Sequence, residues 1–338
     1  MRKLKVLVYG ITHEHAFGKL ETLRQMPDVF EIAGVVDDRA TATMPNYTNH
    51  PVDPGGFRVF TPAEALSVED IDVVVIETTN ADLMPIAGVF AERGVPMHCD
   101  KPCGESMEPY RSIVETCRRK DIPFQIGYMY RGNPALRFVW NAVRSGWLGT
   151  VSFIEADMNH DYQLEGYAEY ISSFKGGILY NLGCHLVDIV LSMVSGRFLS
   201  ALPVIGDAPG DPPGSRTSGA SLLSFEGGVH ALIRTSSHMP GGLGGRRLRI
   251  DGTNGTIELC PIEHFDGRNL KLEMTLKNPA GGYGAGRNVL DFGILVDRFR
   301  DQLEDLARIV RGDKKNDQDY DHDLLVHEVT LRACGIEV

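Results

Sequence analysis

Short apolar, β-branched runs alternate with amphipathic stretches through the first third of the 338-residue chain. Residues 5–9, 31–36, 71–76, 96–98 and 123–127 have strand character, and 16–26, 83–93 and 107–120 carry helical spacing between them. Strands without polar alternation, such as Val73-Val74-Val75-Ile76, are those of a parallel sheet covered on both faces by its crossover helices. The pattern predicts a doubly wound α/β domain over residues 1–125. A helix over 133–145, with Gly146 past its end, then leads to a strand at 150–156, and the rhythm changes. Segments 220–225 and 229–235, and likewise 248–250 and 256–259, are separated by Gly- and Asn-containing turns and read as hairpins of an antiparallel sheet. Residues 203–219, 239–245 and 279–286 are Gly- and Pro-rich and are expected to be loops. Helices are expected at 181–195, 291–311 and 324–333, the last two joined by a charged segment.

Charge and composition narrow the class. Asp and Glu total 45 against 34 Lys and Arg, a net charge of −11, which argues against partnership with nucleic acid or an anionic membrane. No apolar run approaches the ~18 residues of a spanning helix. The first ten residues are basic and then apolar, but they meet His13-Glu14-His15 rather than a small-residue cleavage site, so they read as a first strand. Six scattered cysteines without a C-x-x-C pair suit buried thiols in a reducing, cytoplasmic setting.

A doubly wound sheet binds ligands at the carboxyl ends of its strands, so the residues just beyond each strand carry the chemical information. After the first strand comes Gly10-Ile11-Thr12-His13-Glu14-His15. Only Gly10 fits the G-x-G-x-x-G spacing of a dinucleotide loop, and Thr12 and His15 stand at the other two glycine positions. The amides of Ile11, Thr12 and His13, and the side chains of the Thr and His, can still donate hydrogen bonds to a pyrophosphate. Asp37 and Asp38 end the second strand, Asp37 lying 27 residues beyond Gly10. An acidic residue there accepts from an adenosine ribose and points to NAD over NADP, a preference weakened by Arg39. Thr78 and Asn80 follow the third apolar run and either line a cofactor or cap the next helix. Lys101 follows a buried strand and precedes Pro102, which suits the first turn of a helix; Lys101 faces a ligand or is a surface lysine.

Farther along, residues 175–188 contain paired glycines and then Asn181, His185 and Asp188. On a continuous helix these three share one polar face opposite Leu182, Leu186, Ile189, Val190 and Met193, which would orient the histidine.

Together these motifs resemble the glucose-fructose oxidoreductase and inositol dehydrogenase (Gfo/Idh/MocA) family of NAD(P)-dependent sugar oxidoreductases. Asp100-Lys101-Pro102 matches its E-K-P, and 176–188 matches its G-G-G-x-L-x-D-x-G-x-H-x-x-D. Residues 127–149 resemble its linking helix and 248–259 its strand-Gly-strand element. The resemblance implies a Rossmann domain over 1–125 that binds NAD, with NADP possible. An α+β domain over 126–338 would follow, with a large open, mainly antiparallel sheet and C-terminal helices free to pack back on the first domain. It implies a sugar, polyol or related hydroxy substrate and a homo-oligomer, dimer or tetramer. Lys101 and His185 would surround the reacting carbon, with His185 as general base and Lys101 polarising the same oxygen. Asp100 would sit by the nicotinamide ribose, and Arg131, His160 and Tyr162 near the substrate, Arg131 suiting a carboxylate or phosphate. The family's aspartate four residues before the histidine is Asn181 here, which hydrogen-bonds a substrate hydroxyl without raising the histidine's basicity.

Other readings stay open at this level. Transient oxidation by the same cofactor would serve an epimerase or an eliminating glycosidase. His13 and His15 have the H-x-H spacing of metal-dependent hydrolases, but the chain lacks eight alternating units, and no metal site is assigned. A non-catalytic NAD-binding subunit is the remaining class.

Overall fold

The computed structural model describes residues 2–44, 50–161 and 166–338. The chain divides into two compact units, Met1–Met129 with Phe299–Leu324, and Tyr130–Arg298 with Leu325–Val338.

In the first unit, strands β1 (Leu4–Tyr9), β2 (Phe30–Val36), β3 (Val59–Phe60), β4 (Val73–Ile76), β5 (Met97–Cys99) and β6 (Phe124–Ile126) form one sheet in the order β3-β2-β1-β4-β5-β6. Every pairing is parallel. This is the doubly wound order with its reversal beside β1 and β4, the place where such sheets take ligands. All four residues of β4 are buried, as a strand covered on both faces requires. Helices α1 (Ala16–Arg24), α2 (Pro62–Ala65), α3 (Asn80–Arg93) and α4 (Met107–Lys120) supply the connections. In α3, Leu83, Ala87 and Phe90 recur at i, i+4 and i+7 and are fully buried. The β6 edge is covered from the far end of the sequence. Gln302 Nε2 donates to Ile126 O at 3.2 Å, and Tyr320 Oη donates to Ile122 O at 2.6 Å.

The second unit opens with α5 (Pro134–Arg144), capped by Asn133, whose side chain accepts from the amides of Ala135 and Leu136. Strand β7 (Val151–Asn159) follows, then α6 (Tyr167–Ser172), α7 (Gly177–Asn181) and α8 (Gly183–Leu191). Seven more strands complete a sheet of eight: β8 (Phe198–Gly206), β9 (Ser218–Phe225), β10 (His230–Ser236), β11 (Arg247–Gly252), β12 (Gly255–Leu259), β13 (Asn269–Leu276) and β14 (Gly286–Ile294). Their order is β14-β13-β12-β11-β7-β10-β9-β8. All neighbours are antiparallel except β7 and β10. Strand β13 alternates strictly, with Leu270, Leu272, Met274 and Leu276 buried, the period-two pattern of a sheet with one covered face. Helix α9 spans Arg300–Arg311, and α10 spans Tyr320–Ala333, so the division between units falls within α10.

Both expected hairpins form, β9 with β10 and β11 with β12. Other expectations are corrected. The helix expected at 181–195 is two helices broken at Leu182, where His185 N bonds back to Leu182 O in a tight three-residue turn. Gly177 opens α7 with φ +53°, where a Cβ would fall 2.4 Å from Arg216 O, so only glycine fits. The helix expected from 291 begins at Arg300, because 286–294 pairs with β13 instead. Residues 203–206 are strand rather than loop, and Pro203 is tolerated there because β8 is an edge strand. Pro102 follows Lys101 through a cis peptide bond and lies outside α4, which starts at Met107. Tyr162 lies outside the described residues.

Candidate functional site

In the first unit the loop after β1 is fixed at both ends of its turn. Gly10 has φ +98°, and a Cβ there would fall 2.7 Å from Thr78 N and 2.8 Å from Glu77 O, so the loop can approach the end of β4 only with glycine. Ile11 N donates to Asp38 Oδ1 at 2.8 Å, Thr12 Oγ1 donates to Asp38 Oδ2 at 2.5 Å, and His13 N donates to Glu77 O at 2.9 Å. These three bonds replace what the missing glycines would have left flexible. Both oxygens of the buried Asp38 are therefore engaged in holding the loop, and burial pushes its pKa up despite them. Asp37 instead pairs with Arg39 at 2.9 and 2.5 Å, and the guanidinium holds its carboxyl below the usual range. Of the two acidic residues, Asp37 is the one that faces solvent. The N-terminus of α1, at His15, has no side-chain cap, so its first-turn amides suit an anion. A dinucleotide fits this arrangement.

Thr78 and Asn80 are buried behind the loop. Neither caps α3, whose N-cap residue is Thr79; Asn80 Nδ2 donates instead to Lys101 O at 3.2 Å. Lys101 is not a surface lysine. It is fully buried, with Nζ 2.8 Å from Glu14 Oε1. Burial alone would raise the Glu14 pKa, but the Lys101 ammonium holds it well below the carboxylate range.

Behind Lys101 lies a cluster of ionisable groups. Lys19, from α1, places Nζ 2.7 Å from Glu77 Oε1 and 2.6 Å from Asp100 Oδ2. Asp100 Oδ1 accepts from Lys101 N at 2.6 Å, while its Oδ2 lies 3.0 Å from His15 Nδ1 and 3.5 Å from His13 Nδ1. Burial works against the Asp100 carboxylate, and the Lys19 ammonium and the hydrogen bond with His15 override it, lowering its pKa. Burial and the Asp100 charge raise Glu77 well above the usual range against the pull of Lys19. Burial lowers His13 to about 4, so its imidazole is neutral. The structure thus gathers Gly10, Ile11, Thr12, His13, Asp38, Thr78, Asn80, Asp100 and Lys101 at the carboxyl ends of β1, β2, β4 and β5. The motifs missed Glu14, Lys19 and Glu77. The available signal was a lysine at a buried position of α1 and a glutamate ending an all-apolar strand.

The second unit holds its own polar cluster. His185 is buried on α8, with its ring edge-on to Tyr130 at 5.1 Å. Asn181, at the end of α7, donates through Nδ2 to Tyr170 Oη at 3.2 Å. Tyr130 Oη donates to Glu263 Oε1 at 2.7 Å and accepts from Arg246 Nη1 at 2.9 Å. Arg246 and Arg298 both pair with Glu263, at 2.7 and 3.1 Å. Burial raises the Tyr130 pKa, so the phenol stays protonated beside the histidine. Sequence patterns gave no sign of this Tyr-Glu-Arg group, because its members come from distant segments. Three contacts of 2.6 to 3.1 Å bind the Arg131 guanidinium to Asp188. His160 is buried, with Nδ1 2.9 Å from Tyr167 Oη.

Comparison with known proteins agrees with this architecture. Residues 136–258 match the family model described as the GFO/IDH/MocA C-terminal domain. The chain is 28% identical over 204 residues to D-apiose dehydrogenase of Paraburkholderia graminis, covering 58% of this chain and 53% of that one. It is 26% identical to D-xylose 1-dehydrogenase [NADP(+)] of Haloarcula marismortui, covering 75% and 69%. The chain thus spans about half the length of the first of these relatives. In fold it is similar to an oxidoreductase of Agrobacterium radiobacter solved with NAD+, L-tartaric acid and magnesium, with TM-score 0.76, 18% identity and coverage of 97% and 94%. With its six-stranded parallel sheet, its eight-stranded mainly antiparallel sheet and the Asp-Lys-Pro and His185 motifs in place, the chain is similar in fold to these oxidoreductases, and its residues 136–258 match the GFO/IDH/MocA C-terminal domain.

Proposed function

We propose that the protein is an NAD-dependent dehydrogenase, accepting NADP, that oxidises a hydroxyl group of a sugar or polyol or reduces the corresponding carbonyl. The observation that carries this reading is the buried Lys101 at the end of β5, oriented by Glu14, in a sheet of doubly wound order. The names of the relatives, among them D-apiose and inositol dehydrogenases, support the substrate class. The bound nicotinamide would supply the hydride acceptor or donor. Gly10, the pinned loop and the first turn of α1 hold the pyrophosphate. Asp37 takes the adenosine ribose, and Arg39 beside it allows a 2′-phosphate. Asp100, fixed by Lys19, positions Lys101 through its main chain.

Lys101 polarises the substrate oxygen, and His185 takes or returns its proton, in the role suited to an imidazole near neutral pH. Asn181, held by Tyr170, positions a substrate hydroxyl without adding charge. Arg131, Tyr162 and His160 are assigned to shaping the substrate region, Arg131 through Asp188 rather than by binding an anion. The six free thiols suit a reducing cytoplasm. Among the described residues no helix is long and apolar enough to cross a membrane. Exposed Leu202, Val204 and Val289 on the large sheet suit a homo-oligomer.

Calorimetric titration with NAD and with NADP, followed by a screen of sugars, polyols and sugar acids for NADH absorbance, tests the proposal. Stoichiometric NAD binding with turnover of one of these classes is expected. Absence of binding by either dinucleotide would overturn it.

A further inference from the structure

The dehydrogenase reading assigns no role to one feature of the His13-Glu14-His15 motif, the convergence of two imidazoles on one carboxylate. His13, His15 and Asp100 each offer a ligand atom, and the three atoms lie within 4.8 Å of one another. Asp100 Oδ2 is 3.5 Å from His13 Nδ1 and 3.0 Å from His15 Nδ1. Zinc bonds of ~2.0 to 2.2 Å to nitrogen and oxygen give a tetrahedral edge of about 3.4 Å, so these spacings suit a common metal ion.

The surroundings of His13 point the same way. His13 Nδ1 accepts from His15 N at 3.1 Å, so it carries a lone pair rather than a proton. Its other nitrogen, Nε2, lies 3.2 Å from Lys101 O and donates to it. A ring with one nitrogen tied to a main-chain carbonyl and the other left unprotonated is the arrangement that outer hydrogen bonds impose on metal-binding histidines. A third donor lies close by: Glu77 Oε2 is buried without a hydrogen-bond partner, 3.5 Å from the same His13 Nδ1. Lone pairs on three residues thus face one small volume.

We propose that His13, His15 and Asp100 form a binding site for a divalent transition metal of the zinc class, with Glu77 Oε2 as an additional donor. The ion replaces two weaker contacts. His15 moves its proton from Nδ1 to Nε2 and exchanges its hydrogen bond to Asp100 for a metal bond, with no net change of charge. His13 gives up the bond from His15 N. His15 is the member that reaches solvent, with 14% of its side chain exposed, and it provides the way in. The Lys19 ammonium, 2.6 Å from Asp100 Oδ2, opposes a dication, which makes the site exchangeable rather than a permanent structural centre. Once bound, the ion ties the β1–α1 loop to the residue preceding Lys101.

The test is zinc binding by the untagged full chain, measured against a chromophoric chelator. One equivalent per chain is expected, together with a rise in melting temperature. His13→Gln and His15→Gln should each weaken binding by about 10- to 100-fold and abolish the thermal shift. His230→Gln, an exposed histidine of β10, should change neither. Cobalt(II), added in place of zinc, should give visible absorption bands that His15→Gln removes. Melting of the metal-free variants shows whether they fold. If His13→Gln does not, His15→Gln decides the matter. No binding at one equivalent, or unchanged affinity in His15→Gln, would overturn the proposal. Because the readout needs no dinucleotide, its failure is distinct from failure of the dehydrogenase reading.

Discussion

Lys19 is the side chain whose replacement gives the sharpest test of the first unit. Its ammonium is 1% exposed and bridges Glu77 and Asp100 at 2.7 and 2.6 Å. Lys19→Met keeps the length of the side chain and removes the cation, leaving two buried carboxylates facing each other. Breaking a buried ion pair from one side costs ~3 to 5 kcal/mol. Here the loss falls toward the lower end, because Glu77 already has a raised pKa and takes up a proton when the cation is gone. A loss of about 3 kcal/mol corresponds to a fall in melting temperature of roughly 6 to 12 °C for a unit of this size. Removing one carboxylate as well, in Lys19→Met/Glu77→Gln, should recover at least ~1.5 kcal/mol, since contacting residues couple by 0.5 to 3 kcal/mol. Calorimetry or far-UV circular dichroism is the suitable assay, because both tryptophans, Trp140 and Trp147, belong to the second unit. A single variant as stable as the parent, or a double variant no better than the single, would refute the reasoning.

Three further expectations concern separate groups. His185→Asn should lower kcat by roughly 10²- to 10⁴-fold with NAD affinity unchanged, and turnover within threefold of the parent would remove His185 from proton transfer. Asp38→Ala frees Ile11 N and Thr12 Oγ1, each of which loses a charged acceptor worth ~1.5 to 3 kcal/mol; NAD titration and thermal melting should show weaker binding and lower stability, whereas Asp37→Ala should spare stability. Ellman's reagent at pH 8 should label one thiol quickly in the native protein, the exposed Cys260, because burial pushes Cys117 up to about 12 and Cys99 higher than usual. Fast labelling of two or more would contradict the burial of the others.

The parallel sheet is legible in the sequence because β4 has no polar position and because the strands alternate with helical spacing. The hairpins are legible because Gly and Asn mark their turns. Periodicity fails where tertiary pairing decides: residues 291–294 carry no signal that distinguishes a strand continuing β14 from the start of α9. It fails again at Leu182, where a continuous polar face implies one helix and a tight turn makes two. In the candidate sites, Lys101 and His185 stand out by position, one after a strand and one on a polar face. Glu14, Lys19, Glu77 and Glu263 do not, since each gains its meaning from a partner far away in sequence. The pairing of Arg131 with Asp188 is hidden for the same reason, until the chain folds.

Strand β7 is the first of its sheet to be made, and of the interior strands it waits longest for its neighbours. Its neighbours are β10, which begins 71 residues after Asn159, and β11, later still. At ~5 to 20 residues per second, a ribosome needs on the order of 4 to 14 s to deliver the first of them. Through that interval a β-prone segment has both edges open, the condition under which nascent chains stick together. Its sequence carries its own protection in Glu155 and Asp157, charges that keep unpaired copies apart. When the neighbours arrive, each brings a cation: Arg234 from β10 reaches Asp157 at 2.8 Å, and Arg247 from β11 reaches Glu155 at 2.7 Å. The residues that guard the strand during synthesis thus become part of what registers it against its neighbours.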